Sequence, residues 1–501
     1  MKKNKTITFI TIFFIAIIST IFFLKPHYCI DTLEFLTNGY NSYINSKFLV
    51  DGRIFSVLLL KLVIDLPMKY IIPITYIIGI LISCISVMYI MKYILDYTNY
   101  EEKLKILTTL ISYTVLFNFM YIDTFQFLEF PIIAISVLLF IISAKMIVEK
   151  KDKYILKSFI LALIAMFCYQ GSINVFIMTA FLFSIIENKK INKKLFFDML
   201  KMGTILIITM GINYCFTEIV GGTSRVSFEI IDNLKKALIS VGLTIFNSAS
   251  HYPEYLQLIF ILIITIYCLI KKYKITNLIY IYVLCFGVNI IILMIDGPSP
   301  SDILQQNGRV FISVGALIGY IVMYLWCTNE EIQKCKIIKI ITILYFITLV
   351  FTYLQYTYMY MKGQGIDEYI ITNIDEVISK YEEETENKIK KFDYAISFDN
   401  YQKIETSNIL KKEYSQMNSI TIKKARLSSA IFNEVLFWEH ADREIERIHS
   451  NMNLEEEYFK NIDFSEIELF DERRFVFIGD TVYIILWEKR LQYYAVVFLV
   501  N

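Results

Sequence analysis

Two carboxylates three residues apart, Asp31 and Glu34, share one face if their segment is helical. A carboxylate so placed is suited to take a proton from an attacking hydroxyl. Two arginines stand beside apolar segments: Arg53, in "DGR" at 51–53, and Arg309, in "DGPSPSDILQQNGR". A guanidinium in such a place suits an oxyanion such as phosphate. Other groups with chemistry lie near them in kind: Asp51, Tyr169 and Gln170 in "CYQGSIN", Asp123 and Glu129 in "YIDTFQFLEF", and Glu218, Arg225, His251 and Glu254. Any one of these acids equally fits a solvated surface group or a local ion pair. Their distribution along the chain is what carries information.

That distribution depends on what positions them. The chain has 501 residues, 56% hydrophobic, 16% aromatic and 19% charged. Soluble domains carry about 25% charged residues. The apolar residues fall into runs of roughly 17–25, the length that crosses a bilayer core as a helix. This excludes a soluble enzyme and a single-pass receptor. Net charge is +1, which gives no case for nucleic-acid binding. The expected spans are 7–24, 70–94, 104–121, 130–148, 155–169, 173–187, 196–216, 255–270, 276–295, 310–326 and 337–356, about eleven in all. The apolar stretch 54–66 carries Lys61 and Asp65 and better suits a helix lying in the interface.

Lysines set the orientation. With Lys2, Lys3 and Lys5 in the cytoplasm, the inside loops hold Lys103 and Lys105, then Lys150, Lys151, Lys153 and Lys157, then Lys189, Lys190, Lys193 and Lys194. Lys271, Lys272 and Lys274 follow, then Lys334, Lys336 and Lys339. The opposite loops hold almost no lysine; they hold the acids, amides and arginines named above. The start of the chain reads as an uncleaved first span, because no small-x-small cleavage site follows it. The eight cysteines form no CxxC pair and fit no zinc pattern, so they read as small hydrophobes. Residues 360–501 read as a small extracytoplasmic α/β domain. In it, 367–391 is helix-like, "DYAISFD" is a strand, 425–450 is a polar helix, and a β-meander turns at Gly479-Asp480 and 488–490.

Asp31 after the first span, "DGR" at 51–53 and "YQGSINVF" at 169–176 together resemble the bacterial glucosyltransferase family known as GtrII. The resemblance covers roughly residues 10–330. It implies a GT-C-like, all-α polytopic domain over 1–356, with the α/β domain at 360–501 outside. It further implies transfer of a hexose, typically glucose, from a polyprenyl-phosphate carrier to a surface polysaccharide, at the outer face of a bacterial cytoplasmic membrane. Asp31 matches the family's catalytic base, with Glu34 in reserve. Asp51, Arg53, Tyr169, Gln170, Arg225 and Arg309 are the substrate-binding candidates. The partners implied are the lipid-linked donor, the glycan acceptor and the bilayer. No cofactor is assigned, and a divalent metal is left open without assigned ligands.

The residues agree with that chemistry. No phosphate-cradling Gly-rich loop and no DxD motif speaks for a nucleotide sugar, which favours a lipid-phosphate donor. Two other readings remain at this stage. A flippase or transporter of lipid-linked glycans would place charges mid-span, where these spans carry almost none. A glycan polymerase or ligase would favour a long, Arg-rich outer loop; 217–254 has only Arg225, Lys235 and Lys236.

Overall fold

The computed structural model describes residues 2–29, 32, 35, 52–63, 66–97, 102–150, 152–189, 191–220, 231–232, 234–235, 256–271, 273, 275–296, 312–394, 437, 441–448, 467 and 470–485. The chain divides into two compact units, Met1–Met361 and Lys362–Asn501.

The first unit is helical, an arrangement that bonds backbone groups within each segment, as a lipid surrounding requires. Its longer helices are α1 (Lys2–Ser19), α2 (Ile54–Val63), α3 (Met68–Asp96), α4 (Glu102–Leu116), α5 (Phe130–Glu149), α6 (Tyr154–Cys168), α7 (Ile173–Asn188), α8 (Lys193–Ile219), α9 (Leu256–Ile270), α10 (Ile275–Asp296), α11 (Leu317–Thr328) and α12 (Lys336–Thr385). Five stretches are long and apolar enough to cross a membrane: Met68–Asp96, Phe130–Glu149, Gln170–Asn188, Lys193–Ile219 and Lys336–Lys362. Shorter apolar helices lie over the other expected spans. The third expected span stops early. Helix α4 ends at Leu116, and a turn with a 3-10 helix at Tyr121–Thr124 follows. Asn118 causes this: its Oδ1 accepts from the Met120 and Tyr121 backbone N–H groups at 3.1 and 3.3 Å, in competition with the helix ladder.

Helix α5 lies at the centre, packed against α3, α6 and α7. Small residues let these helices approach. Ser143 on α5 and Ser158 on α6 bond through their hydroxyls at 2.7 Å, and Ser136 Oγ donates to the carbonyls of Ala165 and Tyr169 at 2.9 and 3.0 Å. Hydroxyls that bond across helices replace the hydrophobic drive that lipid does not supply. At α11, Gly319 sits against the α4 backbone; a Cβ there would stand 2.8 Å from Val115 N. One turn earlier, Gly315 faces Asn118 with no room for a side chain.

The second unit holds the end of α12 and a mixed sheet, ordered β2 (Glu446–Arg447), β1 (Lys391–Tyr394), β4 (Thr481–Ile484), β3 (Phe475–Ile478). β3 and β4 form the expected hairpin about Gly479-Asp480, where Gly479 has φ +62°. A two-residue turn needs such a left-handed residue. Two features depart from expectation. β1 runs parallel to both β2 and β4, so the sheet is not a simple meander. Glu446–Arg447 is a strand inside the stretch expected to be helical; backbone bonds to the edge of β1 (Glu446 N to Lys390 O and Ile448 N to Phe392 O, both 2.9 Å) override its polar helical pattern. The expected turn at 488–490 lies outside the described residues.

Candidate functional site

Four segments far apart in sequence converge at one end of the first unit. Arg53 immediately precedes α2. Glu129 is the N-cap residue of α5. Tyr169 and Gln170 fill the sharp turn between α6 and α7, where the extended Tyr169 ends α6 and a 3-10 turn over Gln170–Ser172 leads into α7. Asn213 lies in the last third of α8.

Arg53 is the hub. Its Nη1 lies 3.3 Å from Glu129 Oε1, and both side chains are buried. Its Nε donates to Gln170 Oε1 at 3.4 Å. Its guanidinium carbon stands 4.9 Å from the centre of the Tyr169 ring, a cation–π arrangement. Gln170 Nε2 in turn donates to Asn213 Oδ1 at 3.3 Å. A buried ion pair needs such extra bonds to offset the loss of hydration. Gly52 makes the approach feasible. Its φ is +65°, and a Cβ on it would stand 2.8 Å from Asn213 Nδ2 and 2.9 Å from Thr217 Cγ2. Only glycine meets both conditions without strain.

An aromatic shell lies at the same end. His27 is fully buried, stacked on Phe23 with ring centres 4.2 Å apart. Its Nδ1 lies 3.0 Å from the Lys25 carbonyl and its Nε2 3.3 Å from the Phe125 carbonyl. Burial pushes its pKa down to about 4, against the opposing pull of those two carbonyls. Tyr360 donates to the Tyr28 carbonyl at 2.9 Å, and Tyr353 to the Asn118 carbonyl at 2.8 Å. The segment "YIDTFQFLEF" is therefore not a solvated loop: Tyr121, Asp123, Phe125 and Glu129 are all buried.

Of the residues singled out in the sequence, Arg53, Tyr169 and Gln170 come together here. Asp31, Glu34, Asp51, Arg225 and Arg309 lie outside the described residues. Close to Asp31 and Glu34, Thr32 closes a turn on Cys29, its N–H donating to the Cys29 carbonyl at 3.0 Å. Two cluster members were not assigned from sequence. In sequence Glu129 is one loop acid among several, and Asn213 sits inside an apolar span with nothing to distinguish it but its polarity. A lone amide within a span was the available signal.

The far ends of the same helices carry a different cluster. Lys145 is buried and pairs with Glu149 at 3.3 Å, 4.9 Å from the centre of the Tyr89 ring. Lys150 pairs with buried Asp198 at 2.8 Å, and Lys194 lies 3.9 Å from Glu187. In the second unit, a cleft of about 900 Å³ is lined by Asp375, Glu382, Lys388, Lys390, Arg443 and Glu446. There Arg443 pairs with Asp375 and Glu382 and donates to Ser379 at 2.9 Å. Among the described residues no group of His, Cys, Asp and Glu side chains is arranged to hold a metal ion. No protein-family model, curated protein or solved structure matches the chain, so the site is read from its geometry.

Proposed function

We propose that this protein is a polytopic membrane glycosyltransferase of the GT-C type, moving a hexose from a polyprenyl-phosphate carrier to a surface glycan. One observation supports the reading most. The "DGR" and "YQGSINVF" motifs, which are separated by more than a hundred residues in the chain, meet in space through Arg53, Tyr169 and Gln170. They do so at one end of helices whose other end carries the lysine pairs. With lysines inside, the Arg53 cluster faces the outer leaflet. In this topology about eleven spans place the N-terminus inside and residues 360–501 outside.

The reaction breaks the bond between the anomeric carbon and the phosphate oxygen. The electron pair stays on the phosphate, and the anomeric carbon bonds to an acceptor hydroxyl. Asp31 takes the proton of that hydroxyl, and Glu34 orients it. Arg53 and Arg309 stabilise the phosphate as it leaves. Asp51, Tyr169, Gln170 and Arg225 shape the donor site, and the cleft around Arg443 offers hydrogen bonds to the acceptor glycan.

The test uses purified protein in liposomes with polyprenyl-phosphate glucose and a polysaccharide acceptor. Wild type transfers the hexose. Asp31→Asn loses about 10²–10⁴-fold in rate, the usual worth of a general base, and Glu34→Gln loses less. Near-normal turnover by Asp31→Asn would reject the base assignment, because Asn serves as well as Asp if the residue only caps a turn. Passage of an intact lipid-linked glycan across the bilayer without transfer would favour a flippase instead.

A further inference from the structure

Helices α6 and α8 run in the same direction, because their contacts rise together along both. Near the start of α6, Lys201 Nζ of α8 donates to the Tyr154 hydroxyl at 2.9 Å. Near its end, the Phe167 and Phe216 rings meet edge to face, 5.3 Å apart. Each helix carries an exposed stripe of the same design. On α6, Lys157, Ile160 and Ile164 are spaced i, i+3, i+7, and all three are exposed. On α8, exposed Ile208 and Ile212 continue the face of Lys201, and exposed Phe197 lies one turn before it. The isoleucines reach about 10 Å beyond Lys157 and about 16 Å beyond Lys201, and the hydrocarbon of one leaflet is about 15 Å deep. A cation followed by branched alkyl groups over that length matches a headgroup followed by an acyl chain.

The charges around these stripes are unbalanced. In segments 149–157 and 187–201 the acids Glu149, Glu187 and Asp198 pair with Lys145, Lys194 and Lys150. Lys153, Lys157, Lys189, Lys193 and Lys201 meet no acid among the described residues, and against them stands exposed Asp152. The Tyr154 oxygen accepts from Lys201, so its own O–H and the other ammonium hydrogens are left to donate elsewhere. We propose that the seam between α6 and α8 holds an anionic phospholipid. Lys201, Tyr154 and Lys157 take its phosphate, and the isoleucine stripes take a chain. The assignment rests on charge complementarity and is independent of the transferase reading. A zwitterionic headgroup would bring its own cation among the lysines; an anionic one brings only the charge they lack.

Full-length protein in detergent is titrated with phosphatidylglycerol and with phosphatidylcholine of the same chains, and bound lipid is counted by native mass spectrometry. Wild type is expected to retain phosphatidylglycerol in preference. Lys201→Gln and Lys157→Gln should each weaken its binding about fivefold, the usual worth of one lysine near an anionic surface, and the double variant about 25-fold. Lys201→Arg keeps the charge and should keep most of the affinity. Tyr154→Phe removes only the hydroxyl and should weaken phosphatidylglycerol binding while leaving phosphatidylcholine binding unchanged. Lys157 is exposed, so Lys157→Gln serves if Lys201→Gln does not fold. Lys336→Gln, an exposed lysine at the start of α12, is the charge control and should leave binding unchanged. Equal loss in Lys336→Gln and in the seam variants would overturn the site, since binding would then follow net charge alone. Equal wild-type affinity for the two lipids would overturn it too, as would undiminished phosphatidylglycerol binding by folded Lys157→Gln.

Discussion

Arg53 shows how much of a residue's role is set by its surroundings. In sequence it is a cation next to an apolar run; in the fold its charge is matched by Glu129 and its plane lies near Tyr169. Removing one partner of a buried pair leaves the other charge unmatched and costs about 3–5 kcal/mol. Glu129→Leu and Arg53→Leu are each expected to destabilise the protein by that amount, and the double variant by clearly less than the sum. Thermal unfolding in detergent measures this, and additive losses would show that the two groups are not coupled. His27 supplies a second test. Its pKa in the fold, about 4, lies below the ordinary 6.5. Between those values the unfolded chain binds a proton that the folded chain refuses, so stability falls as pH drops from 6.5 toward 4, by up to about 3 kcal/mol. His27→Gln should flatten the stability profile over that window. An unchanged profile would mean that other groups set the acid sensitivity.

Among the helices, contact is decided by a few small residues. Gly319 lets α11 reach the α4 backbone, and a single methyl group there meets main-chain atoms that cannot swing away. Gly319→Ala should cost about 1–3 kcal/mol, as overpacking does. Gly203 and Gly211 on α8 have nothing within 4 Å of the corresponding position. Gly203→Ala should be neutral or stabilise by about 0.5–1 kcal/mol, because alanine holds helical backbone better than glycine. The melting temperature should therefore fall for Gly319→Ala and hold or rise for Gly203→Ala. If Gly319→Ala melted with wild type, the α4–α11 contact would be looser than the packing indicates. The hydropathy pattern alone treats all three glycines alike; only the neighbours differ.

At the scale of the molecule, the lysine pattern and the site lie at opposite ends of one bundle. Lys145, Lys150 and Lys194 meet acids at one end, and the Arg53 cluster closes the other. The topology proposed from the charge bias predicts that a reporter active only in the cytoplasm, fused after Asn501, is silent. Signal from that fusion would mean that the number of spans is even. The second unit offers a charged cleft but, among its described residues, no group of His, Cys, Asp and Glu arranged to hold a metal ion. Under the proposed function, truncation after Tyr360 is expected to leave transfer to a minimal acceptor measurable, and its complete loss in folded protein would put part of the chemistry in the second unit.

Helices and their approximate limits were legible because lipid imposes one condition, that backbone groups bond within the segment, and apolar length records it directly. The hairpin at Gly479 was legible for a similar local reason, a turn that needs a left-handed residue. The early end of α4 was not, because one amide, Asn118, outweighed a run of apolar residues. The parallel pairing of β1 with β4 was not, because partners distant in sequence leave no periodic trace. Sequence also marked Arg53, Tyr169 and Gln170 as polar groups in the loops that alternate with the lysine-rich ones, since a charge bias between alternate loops is a property of the chain alone. It had no means of joining them to Glu129 and Asn213. Which acid meets a buried arginine, and which amides bond onward from it, depends on how four separate helix ends pack, and only the tertiary structure decides that.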